Sequence, residues 1–377
     1  MQDINYDTDL STTMHSLPDV IHDRSYVETL FGFKRMSILG ITLVHEHLTS
    51  NFISYMQKLP RNCLLQDAHQ DLCLSNIGNV KRYPYGYSKN LCLSPNESQL
   101  MIDELFSFKF AGGKTIVEMS SYGLNRNVRL LKLYSKMTNT HIIVGTGYYT
   151  AQSQPTSRLF MTSEELYINM LKEFSDGIRD CNDVHPAFIG EVGISWPIHD
   201  FERKSIIATG QIQEQLGCPV SFSPVNFNFA RNDIIAPYEI LRIYEEAGGC
   251  SRKAIMSHIQ HAFPDKKELM KFVSLTNCFI QFDSFSENSI CYQDNQFFEV
   301  PLNIQKYLNN ISYLKQVNQL DRVLISHDIH TKNKLVSYGG QGYSYIFNNI
   351  VPPLLKRGFN IHEIRQILIE NPHNWLQ

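Results

Sequence analysis

Ile41-Thr42-Leu43-Val44-His45-Glu46-His47-Leu48 reads as a short apolar β-strand with two histidines at its C-terminal end. Side chains alternate faces along a strand, so His45 and His47 share one side and Glu46 takes the other. Two imidazoles on one face can grip a single metal ion, since histidine is the commonest protein ligand for zinc-like metals. Alone, the same pattern fits two polar residues that end a strand and cap a loop. Its meaning depends on how the other strands end.

Outward from this strand the chain settles into alternation. A small hairpin turning at Gly32 leads into it. A long irregular stretch from about Thr49 to Ser94 follows, of the kind that serves as a lid or hides short helices. Ser94 then caps a helix with Pro95 at its first position and Gly112-Gly113 as its stop. Beyond it the expected strands lie at 115–120, 141–146, 187–193, 219–223, 253–259, 278–283 and 322–329. Helical segments separate them, and two helices close the chain. Eight strands alternating with helices imply right-handed crossovers and a parallel sheet. In this length they favour an α/β fold, a closed (β/α)₈ TIM barrel with its site at the C-terminal strand ends. A doubly wound open sheet is the alternative, but no Gly-x-Gly-x-x-Gly follows the first strand.

The 377 residues are 43% hydrophobic and 19% charged, with a formal net charge of −3. That balance offers no general attraction to nucleic acid or to an anionic membrane. No apolar run is long enough for a transmembrane helix. Met1 to Asp23 is polar and lacks a signal-like apolar core, so residues 1–24 are expected to be a loosely ordered extension to a barrel spanning 25–377. Eight cysteines without Cys-x-x-Cys spacing read as reduced thiols of a cytoplasmic protein. The expected partner is a small-molecule substrate, and the chain could pair as a homodimer.

The strand ends supply the chemistry. The first gives His45 and His47, the fourth Glu191, the sixth His258 and the eighth Asp328, all facing one mouth. A carboxylate in a barrel strand is costly to bury unless it is paired or metal-bound. That favours a metal role for Glu191 in Gly190-Glu191-Val192-Gly193 and for Asp328. A single core histidine bonded to a backbone carbonyl is the bland reading of His258. By strand parity His327 points away from Asp328 and reads as structural or as a support to the ligands. His330 could hydrogen-bond at the mouth, and Tyr148 and Tyr149 could line a pocket or simply pack.

In this order, these residues resemble the phosphotriesterase-related proteins of the amidohydrolase superfamily. The resemblance runs from about Thr29 to Gln377. It rests on Leu39 to Leu48, Gly190 to Pro197, Leu216 to Val220, Met256-Ser257-His258 and Ser326 to Lys332, with Tyr338 to Ser344 and Ile367 to Leu376. It implies a (β/α)₈ barrel holding two divalent metals, usually zinc. His45, His47 and Asp328 would hold the more buried ion, Glu191 would bridge, and His258 would hold the second. Asp328 would be the catalytic base and then acid in hydrolysis of an amide, ester or phosphoester bond. The vertebrate-like branch implies N-acyl amino acids such as N-acetyltaurine.

The chain departs from the pattern at the fifth strand. Ser223 stands where the family has a histidine in a His-Pro-Gly-Arg context, and Asn226 stands where it has the arginine. After His258, Ile259-Gln260-His261-Ala262 replaces the usual Leu-Asp-Arg-Thr. Serine is a poor zinc ligand beside imidazole or thiolate. One ion rather than two is therefore open, and two remain open if Asn226 or His261 compensates for the missing histidine. A barrel that has lost catalysis and serves as a binding or regulatory protein is the alternative.

Overall fold

The computed structural model describes residues 25–59, 68–179, 181–225, 234–263, 265–285, 289–293, 296–300 and 304–377. The expected extension over residues 1–24 lies outside them. Eight parallel strands form one sheet: β1 (Thr42–Glu46), β2 (Thr115–Glu118), β3 (His141–Thr146), β4 (Phe188–Ile194), β5 (Val220–Pro224), β6 (Ala254–Met256), β7 (Phe279–Phe282) and β8 (Val323–Ile325). They pair in chain order, and the helices between them make every crossover. This is the (β/α)₈ barrel that the alternation implies.

Helix boundaries follow local chemistry. Ser94 accepts from Asn96 N while Glu97 reaches back to Ser94 N, a capping box over a 3₁₀ turn that opens α1 (Ser98–Phe110). At its end Gly113 lies so close under the Phe108 ring that a Cβ there would come within 2.1 Å of a ring carbon. Thr162 with Glu165 and His199 with Glu202 cap α3 (Ser163–Asp176) and α4 (Asp200–Leu216) in the same way, and α2 (Val128–Thr138) begins on the Asn127 side chain. The stretch after β1 holds short helices, among them Ile53–Tyr55, Ile77–Arg82 and Ser88–Leu91. The first hairpin pairs Tyr26–Thr29 with Gly32–Arg35, so it turns at Leu30-Phe31, just before Gly32.

The core has two layers with strand periodicity. Leu43, Ile116, Ile142, Val323 and Ile325 pack outward with helix residues such as Leu105 and Leu131. Their neighbours Val44, Val117, Ile143 and Leu324 fill the barrel, with Met36, Leu39 and Trp375 in the same cluster. Two bulges break this parity where the chemistry sits. In β1 the pairing with β2 shifts between Leu43 and Glu46. In β4 the pairing with β5 advances three residues against two between Ile189 and Val192. A bulge inserts one residue and re-aims the next side chain. Simple alternation from Leu43 would send His45 outward; the shift turns it in, and the same device lets Glu191 face inward while Ile189 and Val192 both face the helices.

β8 and β1 meet through the mouth. His45 N donates to Ser326 Oγ at 3.0 Å, Asp328 N to the His45 carbonyl at 3.1 Å, and His47 N to the Ile329 carbonyl at 3.2 Å. Glu46, fully buried on the outer side, ties the same segment down. It accepts from Ser326 Oγ, His327 N and His327 Nδ1, each at 2.8 Å, and from Ile329 N at 3.0 Å.

Candidate metal centre

Four donors converge in the mouth. His45 Nε2 lies 3.5 Å from Glu191 Oε2 and 3.8 Å from Asp328 Oδ1. His47 Nε2 lies 3.3 Å from Glu191 Oε1 and 3.5 Å from Asp328 Oδ1. These separations are long for direct hydrogen bonds. His45, His47 and Glu191 each place one donor atom within 4.8 Å of the others, a spacing that a zinc-sized ion can gather, and Asp328 Oδ1 stands beside the two imidazoles. His45, His47 and Glu191 are at most 1% exposed, and His45 Nε2 and Glu191 Oε1 have no hydrogen-bond partner. Buried polar atoms are normally paired, so two orphans aimed at one point fit a cation held between them.

The surrounding groups set the lone pairs. Ser120 Oγ donates to the Thr49 carbonyl at 2.6 Å, which commits its only proton. His47 Nδ1, 2.9 Å from the same oxygen, must therefore carry the ring hydrogen and donate it. That leaves His47 Nε2 as a bare lone pair facing two carboxylates, the arrangement an outer hydrogen bond imposes on a ligating histidine. His45 Nδ1 meets Ser257 Oγ at 3.3 Å.

Electrostatics keep the carboxylates ionised. Burial pushes Glu191 up, but the neighbouring imidazoles of His45 and His47 outweigh it and hold it below its ordinary value. Burial also opposes the charge on Asp328, yet His330 and Lys334 keep it well below the usual carboxylate range. His330 Nδ1 lies 3.0 Å from Asp328 Oδ1, and its Nε2 is held by the Tyr85 hydroxyl at 2.8 Å. Lys334 Nζ donates to the Asp328 carbonyl at 2.8 Å.

A family model described as the phosphotriesterase family matches residues 25–376. The chain belongs to the phosphotriesterase family. N-acetyltaurine hydrolase of Bos taurus is 38% identical over 351 residues, covering 93% of this chain and 97% of that one. A phosphotriesterase-related protein of Drosophila pseudoobscura pseudoobscura is also 38% identical, over 93% of this chain and 98% of its own length. Among solved structures, a resiniferatoxin-binding protein from Rhodobacter sphaeroides superposes with a TM-score of 0.84 at 24% identity, covering 94% of this chain and 95% of that chain. At that identity the likeness speaks for the fold.

Within this family barrel the expected site residues divide into two groups. His45, His47, Glu191 and Asp328 come together as described. His258 stands apart from them, its ring 5.2 Å from that of His45, with Nδ1 against Asp283 Oδ1 and Nε2 against Ser223 Oγ, both at 2.8 Å. His258 and Asp328 follow strands that end at Met256 and Ile325, and both have positive φ, 55° and 56°. Their directions are therefore set by local backbone turns and not by strand parity. His261 lies next to His258, with ring centres 6.5 Å apart, and Asn226 falls outside the described residues.

Tyr148 does not line the mouth. It is buried against Tyr122 and Phe201, with Arg158 over its ring. The wall is built by its neighbour Tyr149 with Phe52 and Tyr55, and Phe52 also packs on His47 and His330. His327 is held by its own hydrogen bonds, on the side away from the cluster. Its Nδ1 meets Glu46, and its Nε2 accepts from Ile346 N at 3.1 Å.

Three buried acids were not legible as site residues. Asp283 holds His258. Glu46 anchors the segment that carries Asp328. Glu118 accepts from Leu48 N, Thr49 N and Ser120 N, and burial pushes it up to about 6. A signal did exist, since each sits at a strand end: Glu46 between the histidines, Glu118 as the last residue of β2 and Asp283 after Phe282.

Proposed function

We propose that this member of the phosphotriesterase family is a metal-dependent hydrolase whose ion is held by His45, His47, Glu191 and Asp328. The observation that carries the reading is the convergence of these four donors with two orphaned buried atoms. A divalent ion there would supply Lewis acidity toward water and toward the oxygen of the scissile bond. Asp328 faces the same point, partly exposed at 8%, and its ionised carboxylate takes the proton of the attacking water and returns it to the leaving group. His330 holds that carboxylate in place, and Lys334 ties down the Asp328 main-chain carbonyl. Phe52, Tyr55 and Tyr149 form an apolar wall that keeps bulk water from the reacting bond.

The names and identity of the relatives support an N-acyl amino acid, such as N-acetyltaurine, as the substrate. The free thiols Cys73, Cys92, Cys181, Cys218, Cys250 and Cys278 support a reducing, cytoplasmic location, and no described helix is long and apolar enough to cross a membrane. The test is a hydrolysis screen of N-acyl amino acids, lactones and phosphotriesters with the zinc-loaded protein. Turnover should appear, and Asp328→Asn should lower it by about 10²–10⁴-fold while the protein stays folded. Unchanged turnover in Asp328→Asn would remove Asp328 from its role. A loaded protein with no turnover on any class would favour a binding protein, the reading that Ser223 supports.

A further inference from the structure

The side of the mouth built by β5, β6 and β7 is arranged unlike the four-donor cluster. Ser223 Oγ, His258 and Asp283 form a continuous chain, with 2.8 Å at each link. Asp283 is fully buried and also accepts from His258 N at 3.0 Å and from the Gln260 and Gln281 side-chain amides at 2.8 Å each. Such a carboxylate does not swing away, so the His258 ring is fixed through Nδ1. An imidazole that ligates a metal keeps one nitrogen bare while the other is held from outside. His45 and His47 meet that description, with Nε2 turned to the carboxylates. His258 does not, because its Nε2 ends on the Ser223 hydroxyl.

Ser223 is itself fully buried, on the same inward face of β5 as Ser221. A side chain from this strand position would have to complete a second ion's coordination, and a hydroxyl is a weak donor for that purpose. We propose that the chain builds a single-ion centre, in which Ser223, His258 and Asp283 close the position where the family resemblance implies a second ion. The inference rests on the reading of His45, His47, Glu191 and Asp328 as an ion site.

The test is zinc content per chain, measured by mass spectrometry on full-length protein loaded with excess zinc and then desalted. The expected result is one zinc in the wild type, one in His258→Ala and none in His47→Ala. Ser223→His should raise the content to two, since it restores an imidazole beside His258. Two zinc ions in the wild type with a fall to one in His258→Ala would overturn the proposal, as would a folded Ser223→His that stays at one. Cobalt substitution gives a readout independent of any variant. An isolated high-spin cobalt signal in the wild type agrees with a single-ion centre, and a magnetically coupled pair refutes it. A wild type that retains no ion would instead overturn the reading of the four-donor cluster.

Discussion

Glu46→Gln should cost more than any change at the mouth that leaves the ligands intact. The Glu46 carboxylate takes four hydrogen bonds in a fully buried position: three on Oε1, from Ser326 Oγ, His327 N and His327 Nδ1, and one on Oε2, from Ile329 N. Glutamine can place its oxygen against the three donors. Its amide nitrogen then faces the Ile329 N–H, donor against donor. An unsatisfied buried N–H costs about 1–3 kcal/mol, and the three remaining bonds lose the strength that the charge gives them. The sum is about 3–5 kcal/mol. At about 2.1 cal/mol/K per residue over 377 residues, that lowers the melting temperature by about 4–6 °C. Asp328 sits between His327 and Ile329, the two residues that Glu46 anchors, so zinc affinity should fall together with stability, by about 10–100-fold. Thermal unfolding of the loaded protein and chelator competition read the two effects. A melting temperature within a degree of wild type and an unchanged affinity would refute the role given to this carboxylate.

Two further outcomes follow from buried groups elsewhere. Burial pushes Glu104 up from 4.5 to about 7, so its contribution is full below pH 4.5 and is lost as the pH rises to 7. Glu104→Gln should flatten that loss and be more stable than wild type at pH 8, by up to about 3 kcal/mol, measured as the shift in urea midpoint between pH 5 and pH 8; equal slopes for the two proteins would count against it. A Cβ on Gly193 would lie 2.5 Å from a Tyr149 ring carbon and 2.6 Å from Thr150 N, so Gly193→Ala should destabilise by about 1–3 kcal/mol and raise KM more than it lowers kcat, because it moves the aromatic wall.

The barrel was legible because its signals are local and repeated. Apolar runs end in glycine or in helix caps, and each cap acts through bonds to residues a few positions away, as at Ser94 and Thr162. That His45, His47, Glu191 and Asp328 come together at one mouth was legible because polar residues at the ends of several strands of one barrel face the same side. Other features depend on contacts distant in sequence, which periodicity does not report. Tyr148 and Tyr149 look alike in the chain. Only the packing of Tyr122 and Phe201 on one, and of Phe52 and Tyr55 on the other, separates core from wall. The pairing of Glu46 with His327 spans 281 residues. Strand parity assigned the right faces to His45 and His47 within their own triplet, but it could not foresee the bulge that sets that triplet against Leu43.

That bulge ties stability to chemistry. With the parity shift in β1, one strand end turns His45 and His47 inward to the cluster and Glu46 outward to the β8 segment. Backbone bonds from Asp328 N to His45 and from His47 N to Ile329 then close the barrel where its ligands sit. An ion at this point would crosslink β1, β4 and β8 through side chains, in the place where the sheet closes through only a few hydrogen bonds. Across the mouth, β5, β6 and β7 are joined by Ser223, His258 and Asp283 through hydrogen bonds alone. The two halves of the rim therefore respond differently to chelation. The β1–β8 seam should loosen when the ion is removed, and the Ser223–His258–Asp283 side should hold its structure. Amide hydrogen exchange with and without chelator separates them: faster exchange confined to segments around residues 45–48 and 326–331 is the expected pattern, and equal acceleration around 257–260 would show that the two sides share an ion after all.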